Sequence, residues 1–542
     1  MTGADAIAKC LEKEGVEILY GYPGVAIAPF FNSLYNTDIK PVLIRTEQNA
    51  AHCASGYARI SGKVGVCVVT SGPGATNLIT GIATAFADSI PLVAITGQVN
   101  SSMIGSDVFQ EADITGAVES FVKYSYLIRD VNDIPRVFKE AFYIANSGRK
   151  GPVLIDIPID IQQAAIGRFQ YPEEVNMRTY KPTVEGNMAQ IKKLIKVVEK
   201  SSRPVMCVGG GVHLSDARKE IREFVNNNHI PVVSTMMGLG TITNDNPLYF
   251  GMVGNNGRAY ANKALKDSDL VLMVGARVAD RAVNRPELIT KDTVLVHIDV
   301  DPAEIGKNVG PTIPLVGDLK HIFKRLNEQE IKADTHEEWL KMLTDYRNEH
   351  PDNRPEIGED YADPKEFLSY LSANMDDDGV FVADVGQNQI WATSFFRIKN
   401  NQRFLTSGGM GTMGYAIPAA LGAKMACPDR QVIASCGDGG FQMSMMELAT
   451  MNQNDIPLKI VVFRNNYLGM VREYQHYACK DRYTMVDIAG KPDLEMIAKA
   501  YDMDYMKLDG TMDMAKVSDS FLKDDKAVLL EVLTDPYDLA KA

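Results

Sequence analysis

The segment RQVIASCGDGGFQMSMMELATMNQNDIPLKIVVFRNN, residues 430–466, holds the residue types best able to do chemistry together. It reads as strand, Gly-rich turn, helix, strand, a βαβ unit. The two strands of such a unit are parallel, so their C-terminal ends meet at one sheet edge. Asp438 ends the first strand and Asn465 ends the second, 27 residues later, so their side chains can converge. One carboxylate and one amide oxygen suit Mg²⁺, a hard ion that completes a sparse protein shell with phosphate oxygens and water. Gly437, Gly439 and Gly440 let the backbone come close at a helix N-terminus, where free N–H groups and the dipole attract a diphosphate. A bare Gly-Asp-Gly reads as a surface turn; the surrounding strands and the paired Asn separate this one from it. Upstream, Gly409, Gly411 and Gly414 imitate the dinucleotide fingerprint GxGxxG, with Asp438 as the ribose acid. That rival leaves the glycines after Asp438 without a purpose.

These residues need a sheet to position them. Short β-branched runs alternate with helical patterns, which predicts parallel sheets covered by helices. The runs are KPVLIRTE, KVGVCVVTS, LVAITGQ and PVLIDIP in the first third. PVMCVGGG, PVVSTM, LVLMVGAR and VLVHIDVD follow in the middle, then GVFVADVG, QVIASCGDG, LKIVVFRNN and AVLLEVLTD. Three α/β domains result, doubly wound, with polar linkers at 169–184 and about 328–364. The expected boundaries are 1–168, 185–330 and 360–535.

The composition excludes several classes. With 542 residues, 45% of them hydrophobic, the chain can bury several cores without disulfide or metal staples. Its net charge of −13 and lack of a polybasic run argue against nucleic acid as a partner. No apolar stretch approaches the ~20 residues needed to cross a bilayer, so no membrane partner is expected. The chain opens on an amphipathic helix rather than a signal peptide, and its seven Cys form no CxxC pair. Buried reduced thiols and a cytoplasmic location are the expectation.

GDGGF with NN at this interval resembles the thiamine diphosphate motif. The whole chain resembles the acetolactate synthase (acetohydroxyacid synthase) catalytic subunit family. The stretches that carry this are YGYPG at 20–24, RTEQNAAHCASGYAR at 45–59, TSGPGATNLITGIATA at 70–85, FQE at 109–111, GPVLIDIP at 151–158, IDVDPAEIGKNV at 298–309, TSGGMGTMGYAIPAALGAK at 406–424 and GMVREYQ at 469–475. The resemblance implies the thiamine diphosphate-binding fold, with pyrimidine, central and diphosphate domains in chain order. It implies a carboligase that decarboxylates pyruvate and transfers the two-carbon unit to a second 2-oxo acid. The alternative is a related thiamine enzyme with a keto sugar, aldehyde or acyl-CoA acceptor.

Site roles follow by resemblance. Glu47 is the carboxyl that hydrogen-bonds the aminopyrimidine N1′ and drives the ring to its imino tautomer. It is expected to end the strand KPVLIRT and precede a helix, so that it points from a sheet edge into a cleft. Asp438, Asn465 and the carbonyl of Tyr467 hold Mg²⁺. Gly386, Gln387 and Asn388 lie along the diphosphate, with Asn388 standing where the family often has His. Gly411 and Met413 hold the aminopyrimidine through backbone groups, Met470 packs on the cofactor, and Pro73 and Asn77 line the facing side. Phe109 and Gln110 face the reacting carbons.

FAD is the candidate second cofactor, in the middle domain, with Arg149 and Arg277 meeting its phosphates or ring edge. The chain departs from the flavin-binding pattern at Val253, Val278 and Ala279. It departs from the synthase pattern at Val25 (usually Gly), Ile159 (usually Lys) and Tyr474 (usually Trp). All three changes bear on the acceptor. The resemblance also implies a homo-oligomer, at least a dimer and in some relatives a tetramer, and a small regulatory subunit as a candidate partner.

Overall fold

The computed structural model describes residues 1–283, 289, 293–310, 312–351, 357–523 and 525–540. Its named strands form three six-stranded sheets, every recorded pair of them parallel. The first contains β1 (Ile18–Tyr22), β2 (Lys40–Leu43), β3 (Gly65–Val69), β4 (Leu92–Gln98), β5 (Tyr124–Leu127) and β6 (Pro152–Pro158), in the order β2-β1-β3-β4-β6-β5. The second contains β7 (Pro204–Val208), β8 (Val232–Ser234), β9 (Tyr249–Met252), β10 (Leu270–Val274), β11 (Val294–Asp299) and β12 (Ile313–Val316), in the order β12-β11-β10-β7-β8-β9. The third contains β13 (Val380–Ala383), β14 (Arg403–Thr406), β15 (Val432–Gly437), β16 (Lys459–Arg464), β17 (Asp504–Leu508) and β18 (Val528–Leu533), in the order β14-β13-β15-β16-β18-β17.

The third sheet retraces the strand order of the first, so the two blocks share one topology. The middle sheet does not. Read from β9, its strands run third, second, first, fourth, fifth, sixth, the order of dinucleotide-binding sheets. The central strands β3, β4 and β6 are buried along their whole length, which is why they read as unbroken apolar runs.

One hydrophobic core is shared by the first and third blocks, joining Val69, Leu78 and Ala94 to Val382, Ala434 and Val462. At its centre the helix Glu47–Ser61 crosses the helix Ala416–Ala426. The contact is backbone on backbone. A Cβ on Gly56 would strike the Ala419 carbonyl, and one on Gly422 would strike the Cys53 carbonyl. Ala419, Ala420 and Ala423 keep the same surface small.

The seven cysteines are free thiols, five buried and two partly so. Among the described residues no helix is long and apolar enough to cross a membrane.

Candidate functional site

The loops that follow β13, β15 and β16 form the first half of the site. Asp438 lies one residue beyond β15 and opens the helix Asp438–Ser444. Its Oδ1 accepts the Gly439 N–H at 2.9 Å and its Oδ2 the Asn466 N–H at 2.6 Å, so the carboxylate reaches the loop after β16. Burial pushes its pKa up to about 6, against those N–H groups and Arg464. Asn465 lies one residue beyond β16. Its Oδ1 accepts from Tyr467 N (2.9 Å), and its Nδ2 donates to Gln387 Oε1 (3.0 Å). Gln387 Nε2 in turn donates to Glu473 Oε2 (3.2 Å) and the Asp538 carbonyl (3.0 Å).

Here an orphan appears. Asn388 is 2% exposed; its Oδ1 accepts from Ser435 Oγ, yet its Nδ2 has no partner among the described residues. That amide lies 3.7 Å from where a Gly386 Cβ would stand and 4.0 Å from that of Gly437. A buried donor without an acceptor costs about 1–3 kcal/mol, and a diphosphate oxygen at this glycine opening would satisfy it. The residues therefore fit thiamine diphosphate with a divalent cation. The glycines divide the work unevenly. A Cβ on Gly439 would meet Leu468 at 2.8 Å and one on Gly440 would meet Asp384 Oδ1 at 2.9 Å, so these two serve the chain's own packing. Gly386, at φ 132°, and Gly437 leave the opening. Among the described residues no three His, Cys, Asp or Glu side chains form a metal cluster. One carboxylate, one amide and a carbonyl are a sparser set, of the kind Mg²⁺ takes with phosphate.

The second half of the site lies on the segments after β1, β2, β3 and β4. Glu47 is half-buried and its Oε2 accepts from Asn77 Nδ2 at 3.1 Å. Asn77 and Pro73 belong to the first turns of the helix Pro73–Ala87 and are exposed. Gln110 is held at φ 58° with its backbone against Gly72, where a Cβ would come within 2.9 Å. Phe109 beside it is 87% exposed and Val25 is 79% exposed. Glu47 does not end a strand: β2 stops at Leu43 and Glu47 opens a helix. Between them the Ile44 N–H still bonds the Gly21 carbonyl of β1, and the next N–H, that of Arg45, goes to Glu447 of the third block.

The two halves of one chain stand at different stations of the same helix. Asn77, near the start of Pro73–Ala87, meets Glu47. Thr84, two turns on, bonds Thr412 between Gly411 and Met413 at 2.7 Å, and the C-cap Asp88 accepts from Gly408 and Gly409. Gly411 is exposed and Met413 half-buried. Met470 and Tyr474 share one face of the helix Gly469–Cys479 and are 36% and 67% exposed.

The two arginines read with a flavin do not act as a pair. Arg149 donates to Ser89 and is ion-paired with Asp301 (3.3 Å) and Glu304 (2.8 Å), tying the first block to the middle one. Arg277 is exposed, its charge felt by Asp88. With Arg149 committed to this interdomain pair, its charge is already matched within the chain, and of the two only Arg277 stands open to a flavin phosphate.

Two buried carboxylates went unread in the sequence. Asp384, 0% exposed, accepts N–H groups from Val385, Gly414 and Ala416 and so pins the Gly411–Gly414 turn to β13. Burial pushes its pKa up to about 6. The signal was the Asp closing the apolar run GVFVAD. Glu447, also 0% exposed, lies within the very segment that carries Asp438. Its carboxylate was legible there, but its partners were not.

A half-site for a metal-held diphosphate and a half-site with a carboxyl at a sheet edge, on two sheets of one topology, define a thiamine diphosphate-dependent enzyme. The families described as "Thiamine pyrophosphate enzyme", N-terminal TPP binding domain, central domain and C-terminal TPP binding domain match residues 1–117, 191–326 and 384–532. Within that class the chain belongs to the acetolactate synthase large-subunit family. It is 41% identical to the probable acetolactate synthase large subunit of Methanococcus aeolicus, over 99% of this chain and 92% of that one. It is 40% identical to the acetolactate synthase large subunit of Lactococcus lactis, over 98% and 92%. For that of Corynebacterium glutamicum the identity is 43%, over 89% and 78%.

Proposed function

We propose that this chain is a catalytic subunit that decarboxylates pyruvate and joins the two-carbon unit to a second 2-oxo acid. The observation that carries this is the pairing of the Glu47–Asn77 contact on the first sheet with the Asp438–Asn465 loop and the orphaned Asn388 amide on the third. Bound thiamine diphosphate supplies the carbon nucleophile and the electron sink. The chain supplies the rest. Asp438, Asn465 and the Tyr467 carbonyl hold the cation, and Asn388 donates to the diphosphate. Gly386, Gln387 and Gly437 shape the floor, and Gly411, Met413 and Met470 hold the rings. Glu47 shares a proton with the pyrimidine N1′, its orientation set by Asn77, while Pro73 walls that side. Phe109 and Gln110 stand where the reacting carbons pass. The three sheets support divisions at 1–168, 185–330 and 360–535.

Glu47 and the Gly411–Met413 turn must grip one aminopyrimidine. In one chain they contact helix positions seven residues apart, about 10 Å along its axis. This supports a site completed by the Glu47 half of a second copy, and a dimer as the smallest active unit. The large-subunit names of the relatives support a smaller regulatory companion. Buried free thiols support a cytoplasmic location. The test is product analysis with pyruvate alone. Acetolactate with release of carbon dioxide is expected; decarboxylation without acetolactate would move the reading to an aldehyde, keto-sugar or acyl-CoA acceptor.

A further inference from the structure

Glu447 sits in a turn directly after the helix that Asp438 opens, on the third block, yet its carboxylate is spent on the first. Its Oε1 accepts the Arg45 N–H at 3.0 Å and the Asn49 Nδ2 at 2.9 Å. Its Oε2 accepts from Thr450 Oγ1 at 2.6 Å, and the same hydroxyl lies 3.3 Å from the Leu43 carbonyl, its one proton shared between the two acceptors. Arg45 Nη2 reaches Gln453 at 2.8 Å. The segment from Leu43 to Asn49 is thus fastened on both sides of Glu47 by three residues of the other block. The centre of the fastening is buried, with Glu447 0% exposed and Asn49 2%, while the Arg45–Gln453 bond lies at the surface. From its own block the segment is held by the Ile44 N–H on the Gly21 carbonyl of β1 and by Asn77 on the Glu47 carboxylate itself, and β2 has ended at Leu43.

Resting on the catalytic role proposed for Glu47, we propose that Glu447 is the positioning residue that fixes the rotation of the Glu47 helix start and so the aim of its carboxyl. The donors on Arg45 and Asn49 lie two residues either side of Glu47, so their loss would let this turn pivot about Glu47 itself. A carboxyl misplaced by 1 Å is enough to cost ~100-fold in a proton-transfer step. Gln at 447 retains one acceptor oxygen where Oε1 now receives both donors, whereas Ala retains none.

The test compares Glu447→Ala, Glu447→Gln and Glu47→Gln. In the apoprotein, amide hydrogen exchange by mass spectrometry should show protection lost over residues 44–50 in Glu447→Ala, retained in Glu447→Gln, and unchanged across β13 to β18 in both. In the loaded enzyme, Glu447→Ala should slow C2–H exchange of saturating thiamine diphosphate by about 10- to 100-fold, with cofactor Kd and pyruvate KM within about threefold. Glu447→Gln should restore most of the rate. Protection unchanged at 44–50 in Glu447→Ala overturns the inference, as does lost protection with an unaltered C2–H rate. If Glu47→Gln itself leaves that rate unchanged, the role of Glu47 falls instead, and the apoprotein result still decides what Glu447 holds. Should Glu447→Ala fail to fold, Glu447→Asp, with its shortened side chain, must show the same local loss and slowed exchange, or the inference fails.

Discussion

The first and third blocks use the same strand order to opposite effect. On the third, the residues read for the cation and diphosphate are buried and bonded to one another: Asp438 to Asn466, Asn465 to Gln387, Gln387 to Glu473 and to the tail at Asp538. On the first, Pro73, Asn77, Val25 and Phe109 stand exposed, and Glu47 has a single side-chain partner in its own block, Asn77. The difference lies in what each half must do. A cation and diphosphate need a desolvated, preorganised cage, whereas a carboxyl that addresses a ring needs only direction. One topology supplies both because function sits in the loops at the strand ends.

The largest effect should come from the sparser half. Glu47→Gln keeps the shape and removes the exchangeable proton, so C2–H exchange measured by NMR should slow ~10²–10⁴-fold while thiamine diphosphate stays bound. Unchanged exchange would remove Glu47 from the chemistry. On the denser half the loss should be in binding. Asp438→Ala should weaken cofactor retention by more than the ~10–100-fold that loss of a metal's outer partner costs, as read by calorimetry with Mg²⁺ present. An unaltered affinity would refute the metal assignment. The two variants also probe each other, since mixing them under subunit exchange should restore one intact site per heterodimer. Recovery of no activity, with exchange shown by mass, would assign both halves to one chain. The smallest effect concerns the acceptor wall. On the reading that Tyr474 lines the acceptor pocket, Tyr for Trp removes apolar face, and a methylene there is worth ~1–3 kcal/mol. The product ratio with 2-oxobutanoate and pyruvate in competition should therefore be near unity and rise up to about tenfold on Tyr474→Trp. A strong wild-type preference for 2-oxobutanoate would place the discriminating contact elsewhere, with Ile159 and Val25 the next positions to exchange.

How much of this was legible depends on burial and on separation along the chain. The twelve apolar runs correspond to strands, and most lie inside sheets with both faces covered. The strands without such a run are β1, β5, β9, β12, β14 and β17; all but β1 are edge strands. YSYL, IPLV and DYMKL carry partly exposed positions, so their composition is mixed, and ILYGY and YFGM are broken by glycine. The Asp438–Asn465 pair was readable because a single βαβ unit carries both residues. Asp384 was half-readable, as an acid closing an apolar run. The bond between Glu447 and Arg45 spans 402 residues and joins two blocks, and no local pattern encodes it. Arg149 shows the converse. Its residue type suits a phosphate, and only its neighbours Asp301 and Glu304 reveal that the charge is already matched.

The crossing of Gly56 and Gly422 bears on how such a chain can be inherited. Each helix presents a missing side chain to the other's carbonyl, so the fit is a property of the pair and of neither block alone. A first block recombined with a third block from a divergent relative must bring along matching notches at both positions, or the helices stand apart and the segment fastened by Glu447 moves with them. Blocks that look like modules in strand order are, at this one crossing, a single hereditary unit.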